Sequence, residues 1–110
     1  MTITEDVLYI INWMQKLAQL AREHQKPFIP TIAPGSDNTY DYRTTMKAPI
    51  IYRDVSGFKM YIEKIKKFPN PLKTTFLTSY NEWFEQTQIE PTHGYGLEYL
   101  KSLKCITNYE

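Results

Sequence analysis

A chain of 110 residues has the length of one compact domain, 1–110, and its 42% apolar and 23% charged residues place it among globular rather than disordered proteins. A net charge of +1 without a long basic run leaves a nucleic-acid partner no electrostatic footprint, and no apolar stretch approaches bilayer-spanning length. The lone Cys105 excludes an internal disulfide and suits a reducing compartment, so with no signal peptide apparent the chain reads as soluble and cytoplasmic.

The first element is an amphipathic helix. Val7, Ile10, Ile11, Met14, Leu17, Ala18 and Ala21 fall at the three–four spacing of one apolar stripe, which Trp13 and Leu20 widen. Thr2 and Glu5 have the spacing of a capping box, and Pro27 should end the helix near Gln25. Residues 28–32 read as a short strand, with Pro30 pointing to an edge or a bulge. A long polar connection over 33–49 follows. It carries Asp37, Asp41 and Arg43 with Tyr40 and Tyr42, although Asp37 and Asn38 can equally serve only to build a turn. Ser56 is a cap for a second helix that buries Phe58, Tyr61, Ile62 and Ile65, with Glu63 and Lys67 as an i,i+4 pair and Pro69 and Pro71 as the stop. Residues 75–78, TFLT, read as a buried strand. After Gly94 and Gly96, a last helix packs through Leu97, Leu100, Leu103 and Tyr99.

The order helix, strand, helix, strand, helix implies parallel strands joined by right-handed crossovers. Two such strands leave two open edges, whereas a closed parallel barrel takes about eight strands and about 250 residues. The chain is therefore expected to be a piece of a larger fold or to complete its sheet with another copy.

Potential chemistry concentrates where the second strand ends. Ligands of parallel α/β proteins bind at the loops beyond strand C-termini, and here Glu82 and Glu85 follow the strand at once. Cleaving a glycosidic bond takes two carboxyl groups, about 5–5.5 Å apart in retaining enzymes. Residues three apart on a helical turn can meet that spacing, and their mutual repulsion would raise the pKa of one of them to make an acid. Trp83 and Phe84 offer apolar rings beside them, and nine tyrosines add either core or sugar-stacking surface. The spacing by itself also fits surface decoration. His24 and His93 belong to no metal-ligand pattern, so neither a metal nor another cofactor is expected.

The string Ser79-Tyr80-Asn81-Glu82-Trp83-Phe84-Glu85-Gln86-Thr87-Gln88-Ile89-Glu90-Pro91 resembles the final-strand motif SFNEWxEGTQIEP of glycoside hydrolase family 99, the endo-α-1,2-mannosidases and endomannanases. It is also similar to the looser NEWxEGxxLEP of the WbsX-like polysaccharide-biosynthesis proteins. Pro34-Gly35-Ser36-Asp37, with Arg43 further on, resembles the family's PG-x-D…R loop, and residues 94–100 resemble the start of its last helix. The resemblance implies the C-terminal portion of a (β/α)8 barrel, an α-mannoside or another polysaccharide as partner, and no metal. It implies Glu82 as the base that takes the proton of the substrate's 2-hydroxyl, giving a 1,2-anhydro sugar, and Glu85 as the acid at the leaving oxygen. Tyr80, Asn81, Trp83, Gln88, Glu90, Asp37 and Arg43 would line or brace the substrate. Two positions depart from the pattern: Phe84 replaces a His, and Gln86 replaces a Gly whose positive φ a side chain disfavours. The first six strands have no counterpart in this sequence.

Three readings follow: a family 99-type glycosidase segment inactive by itself, a small carbohydrate-binding protein, or a self-assembling interaction protein. Each calls for a second copy or a partner chain at the open strands.

Overall fold

The computed structural model describes residues 3–48 and 50–107, with side chains over 5–48 and 50–104. Helix α1 (Ile3–Glu23) turns Val7, Ile11 and Met14 into the core. Its predicted capping residue Thr2 lies outside the described residues. The helix ends in a Schellman turn: Lys26 N–H reaches the Ala21 carbonyl at 2.8 Å, Gln25 N–H reaches that of Arg22 at 3.1 Å, and Gln25 takes φ 57°. Only part of the predicted stripe is covered. Trp13, Leu17 and Leu20 are about half-exposed, with Leu8 and Tyr9 beside them, because among the described helices and strands α1 packs only against the helix that follows in sequence.

Strand β1 (Thr31–Ile32) runs parallel to β2 (Phe76–Leu77), in the register Thr31↔Phe76 and Ile32↔Leu77. Hydrogen bonds from Phe76 N–H to the Pro30 carbonyl (3.0 Å) and from Thr78 N–H to that of Ile32 (2.9 Å) hold the pair. Pro30 thus contributes its acceptor, and its missing donor is not needed. Side chains alternate across the ladder. Ile32 is buried and Leu77 packs on the core, while Phe76 is 55% exposed. The expected buried strand is therefore buried on one face only: Ile32 and Leu77 face the helical core, and Phe76 points the other way.

Helix α2 (Val55–Ile65) is the central support and buries Phe58, Tyr61, Ile62 and Ile65 as the periodicity predicts. Its cap is Asp54, not Ser56. The Asp54 carboxylate accepts from Gly57 N–H at 3.0 Å, and a cap at that position brings its oxygen to the third helical amide. Tyr61 donates its hydroxyl to the Thr31 carbonyl at 2.9 Å, tying helix to strand, and burial pushes its pKa up to about 12. The expected Glu63–Lys67 pair is a Glu63–Lys66 pair at 3.7 Å. Helix α3 (Glu98–Thr107) buries Tyr99 against Phe58, with ring centroids 5.3 Å apart, while Leu97 is 52% exposed and lies outside the packed face.

Among the described elements α1 and α3 both pack on α2, and α2 meets the two-stranded sheet at β1. No helix among the described residues is long and apolar enough to cross a membrane.

Candidate functional site

The connection after β1 is ordered by side chains that satisfy its own backbone. Ser36 and Ile51 exchange two hydrogen bonds, 2.8 and 2.7 Å, closing the loop at its base. Gly35 allows this closure, since a Cβ there would stand 2.7 Å from Arg53 Cγ and 2.8 Å from the Ile51 carbonyl oxygen. Lys47 Nζ donates to the carbonyls of Asn38 (3.1 Å), Asp41 (2.9 Å) and Thr44 (3.1 Å), and Asn38 bonds both Met46 O and Ala48 N–H at 3.0 Å. Asp37 accepts from Thr39 N–H at 2.9 Å, and hydrogen bonds from Thr39 hold its carboxyl below the usual carboxylate range. Its side chain therefore builds a turn, while its N–H donates to the Glu85 carbonyl at 2.8 Å and joins the two loops.

This scaffold presents Arg43. Its Nε and Nη2 grip the two oxygens of Asp41 at 2.9 Å each, and Asp41 is 2% exposed. The hydrogen bonds from Arg43 keep the Asp41 carboxyl at about 2, and the same pairing raises the pKa of Arg43. Arg43 Nη2 then reaches Glu82 Oε1 at 3.1 Å. Its guanidinium lies 4.6 Å from the Phe84 ring centroid, and Tyr42 meets that ring edge-on at 5.3 Å. Phe84, where the resembling family has His, thus packs as an apolar wall for the cation.

The loop after β2 folds back on itself. Ser79 Oγ accepts from Glu82 N–H at 3.0 Å and lies 2.7 Å from Thr87 Oγ1. Thr87 N–H returns to the Glu82 carbonyl at 3.2 Å, and Ile89 and Glu90 N–H both reach the Tyr80 carbonyl. Glu82 is aimed by two donors to Oε1, Arg43 and the Phe84 N–H at 3.1 Å. Glu85 is exposed, and among the described residues no hydrogen bond or ion pair holds its carboxylate. Trp83 Nε1 donates to Glu90 Oε2 at 2.7 Å, and Trp83 lines an open hollow of about 420 Å³ with Pro91, Thr92 and His93. Tyr80 and Asn81 are exposed, whereas Gln88 is 3% exposed with its Oε1 buried and, among the described residues, unpartnered.

Gln86 adopts φ 54°, the left-handed conformation that its side chain was expected to resist, and its Nε2 donates to the Trp83 carbonyl at 2.8 Å. That bond offsets part of the backbone cost. Asp41, which lies outside the resembling motif, anchors the pairing of Arg43 with Glu82. Its signal was present, an acid two residues before an arginine in a long loop. Among the described residues no group of three or more His, Cys, Asp or Glu is placed to hold a metal ion.

The chain is similar over 96% of its length to a solved glycoside hydrolase-like protein, at 26% identity and a TM-score of 0.74, and it covers 33% of that protein. A GH99 endo-α-mannosidase from Bacteroides thetaiotaomicron, solved with bis-tris propane, matches at 21% identity and a TM-score of 0.46, over 91% of this chain and 37% of the enzyme. The chain thus spans about a third of the length of the solved structures it matches. No curated protein matches it. The family model described as Glycosyltransferase WbsX matches residues 3–103, nearly the whole chain, and the protein belongs to that family.

Proposed function

We propose that the chain is the C-terminal part of a glycan-processing (β/α)8 barrel, with Glu82 and Glu85 as its reacting carboxylates and an α-mannoside-type glycan as substrate. The observation that carries this reading is the pairing of Arg43 with Glu82, two side chains from the loops beyond neighbouring parallel strands. A base needs an acceptor held in place, and Arg43 with the Phe84 N–H supplies the two donors that aim Glu82. An acid needs freedom to meet the leaving oxygen, and Glu85 stands outside that network. In the proposed reaction Glu82 takes the proton of the sugar 2-hydroxyl. The freed oxygen attacks the anomeric carbon, and the bond to the leaving oxygen breaks as Glu85 protonates it. Glu85 then takes a proton from the acceptor, whose oxygen attacks the anomeric carbon and opens the 1,2-anhydro ring, while Glu82 returns its proton to the 2-oxygen, so both carboxyl groups are reset and configuration is retained overall. A water acceptor gives hydrolysis, and a sugar hydroxyl gives transfer. Both the glycoside hydrolase-like neighbour and the family's glycosyltransferase description are compatible with the same two carboxylates.

Two strands enclose no sugar, so the chain by itself is proposed to be inactive. The half-exposed Trp13 and Leu17 on α1 and the open edge of β1 support a polypeptide partner supplying further strands. Self-completion fits less well. Four copies would bring eight strands but twelve helices, three from each, to a barrel that carries about eight of both.

Turnover of an α-1,2-linked mannan tests the reading, with the remaining barrel strands of the glycoside hydrolase-like protein supplied as a second chain. Release of sugar only in the mixture, lost in both Glu82→Gln and Glu85→Gln, is the expected result. Turnover by the isolated chain that survives both substitutions contradicts it.

A further inference from the structure

Behind the glutamate loop sits a cation that the proposed reaction does not use. Arg53, just ahead of α2, sends Nη1 to the Gln86 carbonyl at 3.1 Å. Its guanidinium carbon lies 4.6 Å from the ring centroid of Tyr99 and 5.4 Å from that of Tyr95, two rings that meet edge-on at 5.0 Å. Nε and Nη2 are buried and, among the described residues, have no hydrogen-bond acceptor. Burying a guanidinium is costly unless it is paired, and here tyrosine faces and one carbonyl oxygen stand where a carboxylate would usually be. The geometry is set by shape on the other side as well, because Gly35 leaves the space that Arg53 Cγ occupies.

What Arg53 holds is the pivot of the loop. Gln86 carries the positive φ, its N–H and Nε2 both return to the Trp83 carbonyl, and the preceding residue is Glu85. We propose that Arg53 is a positioning residue for the glutamate loop: clamped on Tyr99 and Tyr95, it fixes the Gln86 carbonyl and with it the turn from Glu82 to Glu85. Lysine cannot replace it, since an ammonium lacks the planar fork that stacks on a ring while donating in its own plane. The functional weight of this role rests on the proposed part of Glu82 and Glu85, but its test uses no saccharide, so either can fail without the other.

The test is the indole N–H resonances of the full chain in wild type, Arg53→Lys, Arg53→Met and Gly35→Ala. Trp83 reports on the loop and Trp13, on α1, is the internal control. The Asp37 amide, bonded to the Glu85 carbonyl, is a second reporter. Arg53→Lys and Gly35→Ala cover the case in which Arg53→Met does not fold. In the variants that fold, the Trp83 indole and Asp37 amide are expected to shift and to exchange with solvent about tenfold faster, the scale of losing one hydrogen bond from a charged donor, while Trp13 stays in place. Unchanged Trp83 and Asp37 signals in both Arg53→Lys and Gly35→Ala overturn the proposal. So does a shift of Trp13 alongside them, which marks general loosening.

Discussion

Arg43 and Glu82 are 39 residues apart in sequence and 3.1 Å apart in space. Their pairing, with the bond from the Asp37 N–H to the Glu85 carbonyl, ties the two loops together, and Asp41 orients it. Its carboxylate takes Nε–H and one N–H of Nη2 in a bidentate fork, and the second N–H of Nη2 reaches Glu82.

Asp41→Asn removes the charge from that fork and should let Arg43 swing between partners. The site also acquires an acid limit. The Asp41 carboxyl, near 3.8 ordinarily, lies at about 2 in the fold. A lowered pKa means that its contribution is fully present above about pH 4–5 and is lost as pH falls through about 2. The Arg43 side-chain resonances of the wild type should therefore hold steady to about pH 4 and move below it, and those of Asp41→Asn should lack this step.

Alkaline pH acts through the core. Burial lifts both Tyr61 and Tyr99 to about 12, from an ordinary value of 10.0, with Arg53 partly opposing the shift at Tyr99. Raised values mean that the neutral rings stabilise the fold below pH 10, and that this contribution is lost as pH climbs through 12. Tyr61→Phe should cost about 1 kcal/mol at neutral pH, through the lost bond to the Thr31 carbonyl. It should also shrink the alkaline loss of stability seen in urea titrations.

Gln86→Gly should stabilise the chain by roughly 0.5–1 kcal/mol, by relieving a left-handed backbone at the cost of one exposed hydrogen bond. A higher urea midpoint with an unchanged slope is the expected observation. A lower midpoint would mean that the Gln86 side chain contributes more than its backbone costs.

The cap of α2 separates two neighbouring residues. Asp54→Ala should lose about 1 kcal/mol, because Gly57 N–H loses its acceptor. Ser56→Ala, at an exposed second helical position, should stay within about 0.5 kcal/mol. Paired thermal melts decide the matter.

The sequence announced the helices well, because apolar spacing is a local signal: Val7, Ile11 and Met14 on α1, and Phe58, Tyr61, Ile62 and Ile65 on α2, all face the core. It could not say how much of each stripe a neighbour covers, so Trp13, Leu17 and Leu97 are more exposed than their periodicity suggests. Strand length was also overstated, since pairing depends on a partner that the local pattern does not contain. The glutamate loop was legible through its dense motif. Arg53 was not, because its partner Gln86 is 33 residues away and an arginine before a helix carries no pattern. Of the same kind is the swap at α2, where Asp54 and Ser56 are both good caps and only the backbone decides.

The surface around Glu82 and Trp83 is proposed to be a glycan site. The most direct test adds α-1,2-mannobiose at millimolar concentration to the isotope-labelled chain assembled with an unlabelled second chain that supplies the remaining barrel strands, with backbone and indole resonances followed residue by residue. Graded shifts confined to residues 79–90 and 37–43 and to the Trp83 indole, weakened in Glu82→Gln, are the expected result. Shifts spread along α1, or none at any concentration up to the solubility of the sugar, contradict it.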